Sequence, residues 1–194
     1  KKLSYKELRE LAYMGANVLH PEAVFPVKAS GIPINIRNTF NPQAPGTLIV
    51  SEVEEDEFAK RQITGVAGKK GYSIIFIEKE LMNSELGFGR RVLSVLEYYN
   101  ILFEHMPSGI GTLSIVVSDN ELAGKEDVVI ERIRNIVKPD SIEIKSGISL
   151  ISTVGHGMSF RPGTAAKLCE ALAKANINIR MIDQGSSELN IIVA

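Results

Sequence analysis

The sequence predicts an α+β protein that contains two copies of one small unit, each an antiparallel sheet with helices on one face. Two observations carry this prediction. From about residue 63 onward, short β-branched strands alternate with amphipathic helices. The sequence also repeats itself without a gap, so that Gly185 lies 76 residues after Gly109 in an equivalent position. A recurrence of this length is typical of a duplicated structural unit, and the element order within it indicates a βαββαβ arrangement.

The repeat is carried by residues of structural importance. The same spacing superimposes glycine, asparagine and core-type apolar residues of the two copies, and matches of this kind in one register indicate internal duplication. The matched pairs are Met82 and Met158, Gly87 and Gly163, Leu96 and Leu172, Asn100 and Asn176, Ile101 and Ile177, Leu113 and Leu189, Ile115 and Ile191, and Val117 and Val193.

The elements of the first copy follow from the apolar pattern and the glycine turns. The second copy stops after a strand at 188–193 and lacks the last helix and strand. Either those elements are missing from this chain, or residues 63–67 upstream of the first copy supply a strand to the second sheet. The elements predicted for the first copy are strand 72–77, helix 87–99, strands 101–106 and 112–117, helix 125–137 and strand 141–145.

A different kind of segment precedes the repeat. Ser4 and Glu7 have the spacing of a capping box and predict a helix over 4–14. Pro21 favours the start of a second helix, in which Pro26 is expected to cause strain. The remaining predictions for this segment are strands at 32–36 and 46–50 and an acidic linker at 51–61.

Composition excludes several classes of partner. A formal net charge of −1 leaves no basic face for a phosphate backbone, so nucleic acid is not expected. No apolar run approaches the roughly 20 residues that span a bilayer, and no signal peptide opens the sequence, so we expect a cytoplasmic protein that binds no membrane. Because the chain starts at Lys1 rather than at a methionine, we expect it to be part of a longer polypeptide.

Cysteine and histidine usage predicts no metal site and no disulfide. The single Cys169 has no disulfide partner, and it lies in an apolar helical pattern with Leu168 and Leu172 that is expected to turn it into the core. The three histidines lack the spacing of metal ligands. They are His20, His105 and His156.

Three segments of the first copy are expected to converge on a ligand site: the loop before the helix, the strand after it and the next tight turn. A helix N-terminus presents free N–H groups and a positive dipole, which suits a carboxylate. Glu85 and Glu104 are candidates to pair with an ammonium group. The predicted ligand is a zwitterionic amino acid, a basic one in particular. The alternative is that both glutamates are solvated surface carboxylates and the glycines only form turns.

Several motifs together resemble the C-terminal half of aspartokinases, with its tandem ACT domains. The resemblance covers essentially the whole chain, from the segment near the end of the kinase domain through the entry into the regulatory region to the ending of the second module. Its motifs are LAYMGANVLHP at 11–21, GIPI at 31–34, PGTLI at 45–49, ITGVA at 63–67, NINI at 176–179 and SSE at 186–188.

This resemblance implies two ferredoxin-like βαββαβ ACT modules in tandem, preceded by the C-terminal elements of an α/β amino-acid-kinase domain. The parent enzyme would phosphorylate L-aspartate with ATP and Mg²⁺. The family's Lys-Phe-Gly-Gly-Thr segment has no counterpart here, so we expect this chain to hold no catalytic residue, cofactor or metal and to be inactive alone. The implied regions are the kinase end 1–50, linker 51–61, strand 62–70 for the second module, first module 71–146 and truncated second module 147–194.

The resemblance also implies feedback regulation at a dimer interface. The first candidate effector is lysine, with threonine or both amino acids as the alternatives, bound in the first module of a homodimer. The alternative function is a stand-alone ACT module that regulates another protein. Asn17 occupies the place of a family lysine near the nucleotide phosphates. The effector-binding residues carried over from the family are Met82, Ser84, Glu85, Gly87, Phe88, Gly89, Phe103, Glu104, Ser108, Gly109 and Ile110.

Overall fold

The computed structural model describes residues 1–16, 18–19, 21–54, 61–185 and 189–194. The predictions for Asn17, for His20, for most of the acidic linker and for the SSE motif therefore lie outside the described residues. The chain divides into two compact units. We call Lys70–Ser149 the inserted unit, and Lys1–Lys69 together with Leu150–Ala194 the split unit.

The elements agree with an α+β class. Helices are α1 Tyr5–Tyr13, α2 Pro21–Ala29, α3 Phe88–Tyr98, α4 Asp119–Leu122, α5 Glu126–Val137 and α6 Thr164–Lys174, with 3₁₀ turns at Met82–Ser84 and His156–Phe160. Strands are β1 Lys2–Ser4, β2 Ile34–Ile36, β3 Thr47–Val50, β4 Gly65–Glu78, β5 Phe103–His105, β6 Thr112–Ser118, β7 Ser141–Val154, β8 Ile182–Asp183 and β9 Asn190–Val193.

The inserted unit has the predicted βαββαβ arrangement, with strand order β5-β6-β4-β7. Strands β4 and β6 are antiparallel, from the pair Tyr72 and Ser118 to the pair Glu78 and Thr112. Alternate strand residues form one core cluster with α3 and α5, so both helices cover the same face of the sheet. Its fully buried members include Ile75, Ile77, Val92, Ile115, Val117, Val129 and Ile133.

The split unit contains two sheets. The second half of β7 pairs with β9, which pairs with β8. Helix α6 packs on these strands through Leu172, which forms a buried cluster with Met158, Ile191 and Val193. The smaller sheet has the order β1-β3-β2, with β1 parallel to β3. The sequence did not predict β1, because three residues are too few to show a strand period.

Helix α1 begins as predicted, since Ser4 and Glu7 form a complete capping box. Helix α2 runs through Pro26 rather than breaking there, and the Ser30 hydroxyl donates to the Pro26 carbonyl at 3.2 Å. The prediction for Cys169 is wrong, because this thiol is exposed. The buried residues of α6 are Thr164 and Leu172, and Leu168 lies between them on the same face of the helix. Cys169 is one residue further along and is therefore turned by about 100° from that face.

The duplication is present in the backbone. Gly87 and Gly163 precede equivalent helices at φ of 75° and 94°, and Asn100 and Asn176 have φ of 50° and 56°. The N–H of Met82 donates to the carbonyl of Lys79, and Met158 makes the equivalent bond to the carbonyl of residue 155. The two copies therefore share turn geometry as well as sequence.

Strands β4 and β7 are equivalent in the repeat, and each has 14 residues. Both are longer than predicted, because lysines and glycines interrupt their apolar pattern near Gly71 and Gly147. Backbone pairing depends on extended dihedral angles and not on that pattern. Within the split unit, the Thr64 N–H donates to the Val154 carbonyl at 2.8 Å. The assignment of residues 62–70 to the second module requires a contact of this kind.

Candidate effector site

The loop before α3 ends in an open helix N-terminus. Gly87 is the N-cap residue at φ 75°, a left-handed conformation that glycine adopts without steric cost, and no side chain caps the helix. The buried ring of Phe88 anchors the first turn in the core. The Phe88 N–H already donates to the Glu85 carbonyl at 3.2 Å, and the following N–H groups of the first turn, which no side chain caps, could receive a carboxylate.

The tight turn before β6 lies against this loop. Lys79 donates its N–H to the Gly111 carbonyl at 2.9 Å, and Asn83 donates to the Ile110 carbonyl at 3.2 Å. Gly109 closes the turn by donating to the Thr112 carbonyl at 2.8 Å. Two of the three segments expected at the site are thus held together by backbone hydrogen bonds.

Glu85 is already paired with two cations. Its carboxylate lies 2.5 Å from the Nζ of Lys79 and also pairs with Arg91. Lys79 donates in addition to the Val137 carbonyl at 2.5 Å, and it lies over the Phe88 ring. The hydrogen bond from Lys79, reinforced by the charges of Lys79 and Arg91, lowers the pKa of Glu85. Glu85 therefore orders the loop, and this leaves Glu104 as the better candidate for a ligand ammonium.

Glu104 is half-buried on the edge strand β5. It lies at a register shift between Phe103, which pairs with Val117, and His105, which pairs with Val116. The buried Tyr72 hydroxyl is hydrogen-bonded to the Glu104 carboxylate. Burial is the largest cause that raises the pKa of Tyr72, and the negative charge of Glu104 is the second. The phenol therefore stays protonated at neutral pH and donates to Glu104.

Glu104 contacts β4 away from the end at which the loop begins. Tyr72, which contacts Glu104, is six residues from Glu78, where the loop begins, and at about 3.4 Å per residue this separation is roughly 20 Å. Backbone hydrogen bonds thus join two of the three predicted segments, and the convergence of the third with them stays a prediction. The loop carries Met82, Ser84, Glu85, Gly87, Phe88 and Gly89, the turn carries Ser108, Gly109 and Ile110, and strand β5 carries Phe103 and Glu104.

A second concave feature of the inserted unit was not predicted. A cavity of about 600 Å³ opens between the end of α3 and the start of β5. Leu102 and Phe103 are exposed beside it. The available sequence signal was the run of apolar residues that leads into β5. Its lining residues are Leu93, Leu96, Glu97, Asn100, Ile101, Leu102, Phe103 and Glu121.

The described part of the chain contains neither a membrane-spanning helix nor a metal-binding cluster. None of its helices has the length and apolar character needed to cross a bilayer. Its histidine, cysteine, aspartate and glutamate side chains form no group of three or more that could hold a metal ion.

Known proteins resemble this chain in sequence and in fold. Residues 151–194 match a family model described as an ACT domain. Aspartokinase 3 of Bacillus subtilis (strain 168) is 41% identical over 190 residues, which is 97% of this chain and 41% of that protein. The crystal structure of Clostridium acetobutylicum aspartate kinase is 56% identical, with a TM-score of 0.88 over 100% of this chain and 44% of that one.

A third relative shares the fold at low identity. E. coli aspartokinase III, crystallised in complex with lysine and aspartate in a T-state, superimposes with a TM-score of 0.71 at 22% identity, over 100% of this chain and 42% of that one. The chain thus spans about two-fifths of the length of these relatives. The sequence and the fold together confirm the resemblance, and they place this chain among the ACT-containing regulatory regions of the aspartokinase family.

Proposed function

We propose that the chain is the effector-binding regulatory region of a cytoplasmic aspartokinase and that it binds lysine for feedback inhibition. The observation that carries the proposal is that the inserted unit contains both an uncapped helix N-terminus at Gly87 and a half-buried carboxylate at Glu104. These groups suit the carboxylate and an ammonium of a basic amino acid. Support comes from a relative of this fold that was crystallised with lysine. Threonine is the second candidate effector.

The parent enzyme is proposed to convert ATP and L-aspartate into 4-phospho-L-aspartate, with Mg²⁺ and ATP bound by its catalytic part. This chain supplies regulation and is inactive alone. The alternative is a stand-alone ACT module that acts on another protein. The segment Lys1–Val50 favours the first reading, because it builds its own three-stranded sheet and core, which an isolated effector module does not need.

The two halves of the proposed site come from two chains of a homodimer. A lysine molecule spans about 6 Å from Cα to Nζ. Tyr72, the partner of Glu104, lies roughly 20 Å along β4 from Glu78, where the loop begins. A twofold dimer would bring the loop of one chain to Glu104 of its partner, and the reverse, and so would form two equivalent sites. In this arrangement every predicted effector-binding residue contributes to a site.

The test of the effector site is the substitution Glu104→Ala. Truncating one partner of a partly desolvated charge pair costs about 2 to 5 kcal/mol, so lysine binding should weaken by at least about 30-fold in calorimetric titration. The matched control is Arg180→Ala, at the equivalent position of the second copy, where the side chain is exposed. Unchanged lysine affinity in Glu104→Ala, with a loss in Arg180→Ala, would place the effector in the second copy instead.

A complementation experiment tests whether two chains share each site. Gly87→Val should abolish binding, because a β-branched residue is strained at φ 75°. Mixing Gly87→Val and Glu104→Ala chains, after unfolding and refolding together, should form heterodimers with one intact site and one doubly altered site. Lysine binding should then reappear at one site per heterodimer, while each variant alone should bind no lysine. If the mixture binds no lysine although heterodimers form, the site lies within one chain.

A further inference from the structure

Lys79 joins the loop before α3 to another helix of the inserted unit. Its Nζ atom donates to the Val137 carbonyl at 2.5 Å, at the C-terminal end of α5, and lies 2.5 Å from the Glu85 carboxylate. A helix C-terminus carries partial negative charge, so a cation is favourable there. The Lys79 side chain is 21% exposed, so water screens these contacts only in part. Lys79 therefore ties the Glu85 carboxylate to the end of α5.

The start of α3 carries an excess of positive charge. Its first turn holds no acidic residue, and an added Cβ at Gly87 would lie 3.8 Å from the Arg90 Nε and 3.9 Å from the Arg91 Nη1. Cations at this end of a helix are unfavourable, because the dipole is positive there as well. The Gly89 and Arg90 N–H groups precede the helical hydrogen bond that Arg91 donates to the Gly87 carbonyl at 3.1 Å. A carboxylate is therefore favoured at this helix start.

The Glu85 carboxylate lies close enough to compete for this position. It pairs with the Arg91 guanidinium, which lies beside the N-cap residue Gly87. Glu85 precedes that residue by two positions, and its carbonyl already accepts from the Phe88 N–H at 3.2 Å. A rotation of its side chain toward α3 would bring the carboxylate to the free N–H groups, where an anion is stabilised. It would then occupy the place of a ligand carboxylate.

We propose that Lys79 is a positioning residue of the effector site, which keeps Glu85 from capping α3 and so leaves the Gly89 and Arg90 N–H groups open to a ligand carboxylate. Arg91 does not replace Lys79 in this role, because it belongs to α3 itself. The consequence for lysine binding rests on the proposed function. The capping by Glu85 is a property of the ligand-free chain and does not depend on it.

The test is Lys79→Met, which removes the ammonium and keeps an apolar stem beside the Phe88 ring. In the ligand-free chain, hydrogen exchange at the Gly89 and Arg90 amides should slow by about fivefold, because Glu85 then caps them. A merely structural role of Lys79 predicts the opposite sign, since a loosened loop speeds exchange. Lysine affinity in calorimetric titration should fall by about fivefold, because the ligand must displace the capping carboxylate.

Three further variants isolate the cause of the slower exchange. Lys79→Met combined with Glu85→Ala removes the competing carboxylate, so exchange should return to at least the rate of the unaltered chain. Lys79→Arg retains a cation and should retain the fast exchange. Lys125→Met is the matched control, because Lys125 donates in the same way to the Tyr99 carbonyl at 3.1 Å, at the other end of α3. This control should leave exchange at the first turn of α3 unchanged.

The sign of the change in exchange decides the proposal. Faster or unchanged exchange at Gly89 and Arg90 in Lys79→Met would overturn it, and so would slow exchange that persists after Glu85→Ala is added. If exchange slows as expected but the unaltered chain binds no lysine, the positioning role of Lys79 stands and the proposed effector is wrong.

Discussion

Replacing Glu7 with alanine is expected to destabilise the split unit by about 3 to 5 kcal/mol, because several buried donors would lose their acceptor at once. Glu7 is 0% exposed. Its carboxylate accepts hydrogen bonds from the Ser4 N–H at 2.9 Å, from the Thr64 hydroxyl at 2.5 Å and from the His156 N–H at 3.2 Å. One side chain therefore joins α1 to two other segments of the same unit.

The measurement is hydrogen exchange of the β9 amides under native conditions, which gives the free energy of opening of the split unit. The matched control is Glu170→Ala on α6, whose carboxylate pairs with Lys174 in an exposed ion pair. Exposed pairs of this kind contribute little, so the control should change stability by less than about 0.5 kcal/mol. A loss below about 1 kcal/mol for Glu7→Ala would show that water replaces its hydrogen bonds.

Replacing Gly155 with alanine is the second substitution with a large expected effect, a loss of about 3 kcal/mol. Its φ of 174° suits any residue, so the cost is steric rather than conformational. An added Cβ would lie 2.5 Å from the carbonyl oxygen of Gln62 and 2.9 Å from both the Ile63 Cα and the Thr64 nitrogen. These are backbone atoms, which cannot turn aside as a flexible side chain can, so the strand contact near Thr64 must shift.

The control for this steric argument is Gly89→Ala, the same substitution at an open position. A Cβ at Gly89 would meet nothing within 4 Å, and the residue lies in the first turn of α3. Alanine leaves the unfolded chain less conformational freedom than glycine does, so the free energy of unfolding should stay equal or rise by up to about 1 kcal/mol. Urea unfolding of both variants, followed by circular dichroism, provides the comparison. Equal stability of the two variants would contradict the proposed close approach at Gly155.

Local patterns account for what the sequence predicted well. The capping box at Ser4 and Glu7, the left-handed glycines before α3 and α6 and the alternation along β6 all depend on neighbours within a few residues. For the same reason the short β1 and the full lengths of β4 and β7 were missed. Their pairing partners are distant in sequence, and their own side chains show no strand period.

Helix faces were predicted less well than helix positions. Cys169 lies inside an apolar pattern, yet the burial of Thr164 and Leu172 rotates α6 so that the thiol faces outward. A polar Thr164 in the core was not predicted either, since threonine gives no apolar signal. Both cases show that the orientation of a helix is set by the side chains that fill the space beneath it.

By itself the sequence determined the α+β class, the duplication and the kinds of residue available for a ligand site, because these follow from composition and short-range periodicity. Only the tertiary structure decided where those residues meet. The register of β4 and β6 separates Glu104 from the Gly87 loop, and the ion pairs at Glu85 leave Glu104 as the candidate for a ligand ammonium. Likewise, the outward orientation of Cys169 depends on the side chains from distant segments that fill the space beneath α6, and such packing cannot be read from local sequence.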